Sequence, residues 1–522
     1  MPELDLVIAG GSVLDGTGAA ASPADIGVEG DRITAVAAPG TLSGADTLDA
    51  TGHVVTPGFI DLHSHADFSL PAHPGADTCL YQGVTTLVGG NCGFSPFPVA
   101  DAERLRRAAA FMGREELAWD WTGFRGYADS VERTAPAVNL VAQVGLNALR
   151  IAAVGDDERP ASPEELATMR RLIEQAAEEG VAGLSTGLIY APGSYAPPRE
   201  VTELARTAAR LGLLYSTHMR NEADRLVDAV TEALTTARES GVRLEISHLK
   251  AMGRENHGKV HEALRLIDEA RADGVDVTAD VYPYTASSTT LTSRLPGWAL
   301  DGGVDRLLDR LADTAIRRRI AAEARIDPGA IVLAQLPPGP YAAWAGRSLA
   351  ELGAELGLGG AETALEVLAA HNGAVGIVNH AMAEDDVRAV LSHPQVSVAS
   401  DGWTLRPSGA GRPHPRSFGT FARVLGRYTR DARLLTLADA VRKMTSLPAS
   451  RAGLTDRGRI REGLAADLVV LDPATVADTS TFDDPWNLAT GVRHVVVNGT
   501  PALRDAALTG KRPGRVLRRP SP

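Results

Sequence analysis

Thr56-Pro-Gly-Phe-Ile-Asp-Leu-His-Ser-His65 is the stretch whose reading decides the fold. Pro57 and Gly58 make a loop, a short apolar run follows, and two histidines stand at i and i+2. Successive side chains of a strand point to opposite faces, so His63 and His65 leave the strand's C-terminal end on the same side. Two imidazoles so placed can grip one metal ion. A His-x-His pair by itself is weak evidence, and its weight comes from the rest of the chain.

Working outward, short apolar runs alternate with helical stretches from Phe59 to about residue 450. The predicted strands are Phe59–His65, Thr85–Cys92, Asn139–Gly145, Gly183–Leu188, Leu213–His218, Arg243–His248, Val277–Tyr282, Val375–His380 and Val396–Asp401. Amphipathic helices are predicted between them, among them Ser162–Glu179 with Pro163 at its first position, and Asp224–Glu239. Alternating βα units predict a parallel sheet, and so many of them favour an α/β fold of the (β/α)₈ TIM-like barrel type over 58–454. Nine candidates compete for eight places. Residues 286–345, with Pro, Arg and Asp-rich helix signals and an extra apolar run at Ile331–Leu336, read as a lid-like insertion. Residues 1–57 and 455–522 share a texture of short strands broken by glycine turns. Asp25–Val36 reads as a hairpin turning at Gly30-Asp31. The two ends are expected to build one small β-sandwich domain, leaving a polar tail after Gly510.

With 522 residues and a net charge of −13, the chain is large enough for such a barrel plus an accessory domain. The charge argues against nucleic acid or an anionic membrane as partner. No run of about 18 apolar residues suggests a membrane span. The opening Met1-Pro-Glu-Leu-Asp lacks the features of a signal peptide, and two cysteines, Cys79 and Cys92, make no disulfide framework. A cytoplasmic location is expected.

Metal-dependent barrels place their chemistry at the C-terminal ends of strands. Here those positions hold His63, His65, Cys92, His218, His248 and Asp401. A single strand-end histidine is ordinarily a structural residue bonded to a backbone carbonyl; six residues of ligand type at five strand ends form a set. Zinc suits mixed imidazole, thiolate and carboxylate donors, whereas magnesium and calcium would not take Cys92.

The sequence resembles the N-acyl-D-amino acid deacylases (D-aminoacylases) of the amidohydrolase superfamily over nearly its full length. The resemblance rests on Pro57–Asp67, Gln82–Pro96, Gly183–Pro192, Thr217–Glu222, Ile246–Lys250, Asp280–Tyr284 and His414–Thr420. Asn91-Cys-Gly-Phe-Ser-Pro96 is its most specific part, because many two-metal amidohydrolases use a carboxylated lysine on a mid-barrel strand. The first lysine of this chain is Lys250, and the fourth predicted strand offers no substitute ligand. The resemblance implies one tightly bound Zn²⁺ on Cys92, His218 and His248, and a second, weaker site on His63, His65 and Asp401. It also implies that Lys250, Tyr282 and Arg416 contact the carboxylate of a small-molecule N-acyl amino acid. Two departures stand out: Gly145-Leu-Asn147 replaces an expected Gly-His-Gly-like turn, and the loop from Asp401 to Arg416, with Pro407, Gly409 and Gly411, is a few residues longer than expected.

The expected activity is hydrolysis of an N-acyl-D-amino acid, with Asp401 as the catalytic proton carrier. A cyclic-amide hydrolase, of the hydantoinase or dihydroorotase kind, is the second reading; its dependence on the missing lysine counts against it. A non-catalytic scaffold on the same fold is the third, and the complete ligand set counts against that.

Overall fold

The computed structural model describes residues 4–109 and 117–519. Five strands open it: β1 (Leu4–Val13), β2 (Ser22–Glu29), β3 (Arg32–Ala37), β4 (Gly44–Asp49) and β5 (Val54–Pro57). β2 and β3 form the expected hairpin around Gly30, which sits at φ +57°. β1 is a branch point. One edge pairs with β2; the other pairs with β4 over Leu4–Ala9 and then with β5 at Ser12 and Val13.

The opening stretch crosses from one unit to the next within two residues. Pro57 ends β5, and β6 (Phe59–Asp61) is the first barrel strand. Gly58 sits between them because a Cβ there would lie 2.2 Å from Thr85 Oγ1. The barrel continues with β7 (Val84–Gly89), β8 (Asn139–Gly145), β9 (Gly183–Gly187), β10 (Leu214–His218), β11 (Arg243–Ile246) and β12 (Val277–Val281). These strands run parallel, each beside the next. All residues of β7, β8, β9, β10 and β12 are buried, as expected for strands covered on both faces.

The helix Pro163–Glu179 shows how local sequence sets an element's ends. Ser162 and Glu165 form a reciprocal capping box, Pro163 occupies the first position, and Gly180 closes the helix at φ +107°. Met169, Ile173 and Ala176 form its buried stripe.

After β12 come β13 (Ser287–Thr290), β14 (Ile331–Gln335) and β15 (Gly376–Asn379), a separate antiparallel sheet with β15 in the middle. Two sequence expectations change here. The predicted strand Val375–His380 is not a barrel strand but this central strand, and the inserted unit therefore runs past residue 345 to Asn379. A short apolar run marks a buried strand without saying which sheet buries it. Leu291, Leu307, Ile331, Leu352, Leu365 and Ile377 give the unit its own core.

The eighth barrel strand is β16 (Val396–Val398), beside β12. The ring closes just beyond the strands proper, through a bridge between Ser64 and Gly402. The chain then returns to the first sheet with β17 (Leu468–Leu471), β18 (Val492–Val497), β19 (Thr500–Arg504) and β20 (Ala507–Leu508). β17 lies antiparallel to β5, giving one nine-stranded sheet from both chain ends. Leu6, Ile8, Ile26, Val55, Leu468 and Val470 share its core. The segment after Gly510, expected as a polar tail, crosses the bottom of the barrel: Leu140 N–H donates to Arg515 C=O at 3.0 Å and Leu517 N–H donates back to Leu140 C=O at 2.8 Å.

A buried polar knot joins the two units. Arg457 and Asp467, both about 5% exposed or less, form an ion pair, Asn498 N–H donates to Asp467 at 2.7 Å, and Asn498 Nδ2 donates to Asn139 Oδ1 of barrel strand β8 at 2.7 Å. Removing one partner strands a buried charge at a cost of roughly 3–5 kcal/mol, whereas removing both is far less damaging. Arg457→Met is expected to lose about that much stability in denaturant unfolding. Arg457→Met with Asp467→Asn should recover a large part of it; equal losses in the single and double variants would show that the pair contributes nothing specific.

Candidate metal centre

Five of the six residues expected at strand ends, His65, Cys92, His218, His248 and Asp401, line one chamber at the barrel's C-terminal mouth; His63 stands beside them, and all six are buried. His63 Nε2 lies 3.3 Å from Cys92 Sγ and 3.4 Å from Asp401 Oδ1. His65 Nε2 is 3.0 Å from the same Asp401 oxygen, and Cys92 Sγ is 3.5 Å from His248 Nε2. Donor atoms of His63, Cys92, His248 and Asp401 fall within 4.8 Å of one another. A second group meeting the same limit is His218, Glu222 and His248. The grouping thus differs from the division expected from sequence: His63 and Asp401 stand with Cys92, and His248 belongs to both groups.

The backbone is bent to achieve this. Cys92, His248 and Asp401 have φ of +54°, +36° and +51°, the left-handed region that side chains other than glycine rarely adopt. Such residues cost of order 1–3 kcal/mol each and persist where their surroundings fix them. Here Asp401 N–H donates to His63 C=O at 2.7 Å, and His248 N–H donates to Asp280 Oδ1, also at 2.7 Å.

Two carboxylates that sequence reasoning left without a role complete the site. Glu222 receives Lys250 Nζ at 2.5 Å and lies 3.0 Å from His248 Nδ1 and 3.3 Å from His218 Nε2. Asp280 lies 3.3 Å from His63 Nδ1. Carboxylates behind ligating histidines fix the ring's orientation and raise its basicity. Both belong to motifs quoted above, and the available signal was their place: Glu222 four residues after His218, Asp280 inside a strand where only apolar residues are otherwise expected.

Lys250 points differently from expectation. Its ammonium donates to Glu222, to His248 C=O at 2.9 Å, and lies 2.8 Å from His248 Nδ1, so its donors are engaged within the site. Arg416 holds Asp401 Oδ2 at 2.7 Å and Ser288 C=O at 3.2 Å. Its guanidinium stands 5.0 Å from the Tyr282 ring centre and 5.6 Å from that of Trp403. Arg416 Nε has no hydrogen-bond partner. Lys250, Tyr282 and Arg416 all line the chamber, together with Met252, Ser288 and Arg294. The chamber encloses ≈ 20 Å³, and a cleft of ≈ 1250 Å³ outside it shares the wall residues Ile189 and Tyr190.

Electrostatics fit a metal. Burial pushes the His63 and His248 imidazoles down to about 3, so both are neutral donors. Burial also pushes the Cys92 thiol well above its ordinary value, and a cation is needed to hold it as thiolate. Burial would raise Asp401, but Arg416 and then His63 outweigh it and hold the carboxyl well below the usual range. Glu222 is held low against burial by His218 and Lys250. His218 Nδ1 and Nε2 and His65 Nδ1 are buried with no aligned hydrogen-bond partner. A soft-plus-borderline donor set with unsatisfied imidazoles is what zinc accepts.

A barrel with this ring of ligands at its strand ends is the architecture of metal-dependent hydrolases, and the chain belongs to the amidohydrolase family, whose sequence profile matches residues 46–502. Its place there is with the N-acyl-D-amino acid deacylases. It is 40% identical to an N-acyl-D-glutamate deacylase of Alcaligenes xylosoxydans xylosoxydans over 99% of this chain and 97% of that one. It is also 40% identical to a D-aminoacylase of the same organism, over 99% and 98%. Among solved structures, the N-acyl-D-glutamate deacylase of Bordetella bronchiseptica, complexed with zinc and a phosphonate mimic of the tetrahedral intermediate, superposes with a TM-score of 0.86. It is 36% identical, with 99% of this chain and 100% of that one covered. No described helix is long and apolar enough to cross a membrane.

Metal content tests the ligand set directly. Purified protein should carry about one tightly held zinc per chain, and Cys92→Ala should lose it, because only imidazoles and carboxylates already paired with Arg416 or Lys250 then remain. Metal analysis after dialysis against a weak chelator reads this, and full occupancy in Cys92→Ala would remove the thiolate from the site.

Proposed function

We propose that this protein uses zinc to hydrolyse the amide bond of N-acyl-D-amino acids, giving a carboxylate and a free D-amino acid. The observation that carries the reading is the cluster of buried donors His63, His65, Cys92, His218, His248 and Asp401 beside one chamber with the Arg416 guanidinium in its wall. The relatives named above, N-acyl-D-glutamate deacylases and a D-aminoacylase, one of them complexed with zinc, support it.

Zinc, when bound by this ring, supplies a Lewis acid for the amide carbonyl and lowers the pKa of water. The remaining work falls to side chains. Asp401, held ionised by Arg416, takes the water proton at its carboxylate. It then delivers the proton to the departing nitrogen, since an unprotonated amide anion is too poor a leaving group. Arg416 and Tyr282 hold the α-carboxylate; the planar guanidinium can make two parallel charge-assisted bonds. Lys250 adds positive charge beside them while steadying His248 through Glu222.

The same chamber suggests which side chain is accepted. Arg294, at the start of the inserted unit, lines it, and its Nε donates to Ser293 Oγ at 3.2 Å. Among the described residues no carboxylate pairs with it. A cation without a counter-ion in a substrate chamber favours an acidic side chain, D-glutamate or D-aspartate, over an apolar one.

A screen of N-acetyl-D-amino acids beside their L enantiomers tests the activity. Turnover confined to D substrates and fastest for the acidic ones is expected; equal rates on both hands would refute the reading. Arg294→Leu should lower kcat/KM for the acidic substrates by about 30-fold or more, the loss typical of a desolvated charge pair. Neutral substrates should be spared, and a uniform loss would mean that Arg294 only supports the fold of the insertion.

Arg416 is tested by changing the substrate rather than the fold. Arg416→Ala should cost about 30- to several-thousand-fold in kcat/KM on an N-acetyl-D-amino acid with zinc content unchanged. On the corresponding α-amide, which has no carboxylate, wild type should already be poor and the variant little worse. An equal loss on both substrates would place carboxylate recognition elsewhere.

A further inference from the structure

The fourth barrel strand, β9, carries no metal ligand, yet its end is built around one. Cys92 lies in the turn Gly90-Asn-Cys-Gly93, which leaves β7 and runs over the ends of β8 and β9. Ser185, fully buried on β9, clamps both sides of that turn: its hydroxyl donates to Gly90 C=O and accepts from Gly93 N–H at 3.0 Å. Two residues on, Gly187 leaves the turn room to pass. A Cβ at Gly187 would lie 1.9 Å from Cys92 C=O, too close for any real contact. Glycine is needed on the other sides as well. A Cβ at Gly145 would lie 2.3 Å from Gly93 C=O, and one at Gly90 would lie 2.0 Å from Gln143 C=O.

The opposite side of the turn is anchored to the first strand. Asn91 Nδ2 donates to Val88 C=O at 2.9 Å and reaches Leu62 and Ser64 C=O, the residues flanking His63, at 3.4 Å. Its Oδ1 accepts from Gln143 Nε2 at 2.9 Å. Of these clamps, Ser185 is the one that grips the backbone on both sides of Cys92, at Gly90 and at Gly93, and the φ of +54° at Cys92 must be enforced from outside.

We infer that Ser185, with Gly187 beside it, is a positioning residue for the zinc-binding thiolate: β9 supplies the hydroxyl clamp and the space that hold Cys92 in its left-handed conformation. The inference rests on the reading of Cys92 as a zinc ligand. It explains why β9 ends in Ser-Thr-Gly, because any longer side chain at 187 would collide with the Cys92 turn. Residues that orient a ligand affect metal affinity by roughly 10- to 100-fold when removed, and that is the effect expected here.

The experiment measures zinc affinity by competition with a chromophoric chelator. It also measures the sulfur-to-cobalt charge-transfer band of cobalt-loaded protein, in wild type, Ser185→Ala, Ser185→Thr, Thr278→Val and Cys92→Ala. Ser185→Ala should bind zinc about 10- to 100-fold more weakly with a diminished or displaced band. Ser185→Thr keeps the oxygen and should stay close to wild type. Thr278→Val removes another buried barrel hydroxyl, bonded to Glu245 on β11, and should change neither readout, even where it lowers stability. Zinc affinity of Ser185→Ala within twofold of wild type, with an unchanged band, overturns the inference. So does failure of both Ser185 variants to fold, which would make Ser185 a residue of the barrel rather than of the site. A charge-transfer band that persists in Cys92→Ala would instead overturn the underlying ligand reading, whatever the Ser185 variants do.

Discussion

The seam that closes the barrel is the constraint on which the site depends. Asp401 N–H donates to His63 C=O at 2.7 Å, His65 N–H donates to Gly402 C=O at 2.8 Å, and Ser400 N–H donates to Asp61 at 2.9 Å. These bonds join the first strand to the last across more than three hundred residues. They also place the His63 and His65 rings against the Asp401 carboxylate. The ladder that shuts the ring and the contacts that assemble the donors are one set of interactions, so a barrel that fails to close has no site.

Closing it concentrates charge where water cannot reach. Asp401 and Glu222 are buried and ionised, which is tolerable only because Arg416 faces one and Lys250 the other. Asp280 has no such cation, and burial pushes its carboxyl up to about 7. A partly unmet carboxylate behind His63, imidazoles without aligned partners and a thiol that burial keeps protonated all leave the protein alone under-satisfied. A divalent cation relieves each of these deficits at once. Metal affinity is in this sense partly the return of desolvation free energy already spent in folding.

Much of this was legible in the sequence because the barrel writes it in a regular script. Ligands recur at strand ends, strands are short and apolar, and Thr56–His65 marks the crossing from the terminal sheet to the barrel. Three things were not legible. Val375–His380 has the composition of a barrel strand, and only its antiparallel partners, Ser287–Thr290 and Ile331–Gln335, show that it belongs to the insertion. Glu222 and Asp280 lie within recognisable motifs, but local sequence cannot say that their carboxylates turn towards histidines from other strands. The tail after Gly510 reads as polar and free, yet its backbone supplies the ladder partners of Leu140 at the barrel's base; backbone pairing leaves little trace in side-chain pattern.

The structure also divides the labour between its parts. Every donor to the metal ring comes from the barrel, where eight strands fix positions to within hydrogen-bond tolerances. Ser287, Ser288, Thr289 and Arg294, which wall the chamber opposite, come from the inserted unit with its own separate core. Arg416 stands between them, ion-paired with Asp401 on one side and hydrogen-bonded to Ser288 C=O on the other. The segment leading to it is tied to the insertion, where Arg412 N–H donates to Ala334 C=O at 2.8 Å, and to the terminal unit, where Trp486 donates to Gly411 C=O at 3.2 Å. Side-chain selectivity can therefore change through the insertion without disturbing the ligands. On the proposed reading, the α-carboxylate, common to every N-acyl amino acid, falls to Arg416, which is anchored to both parts.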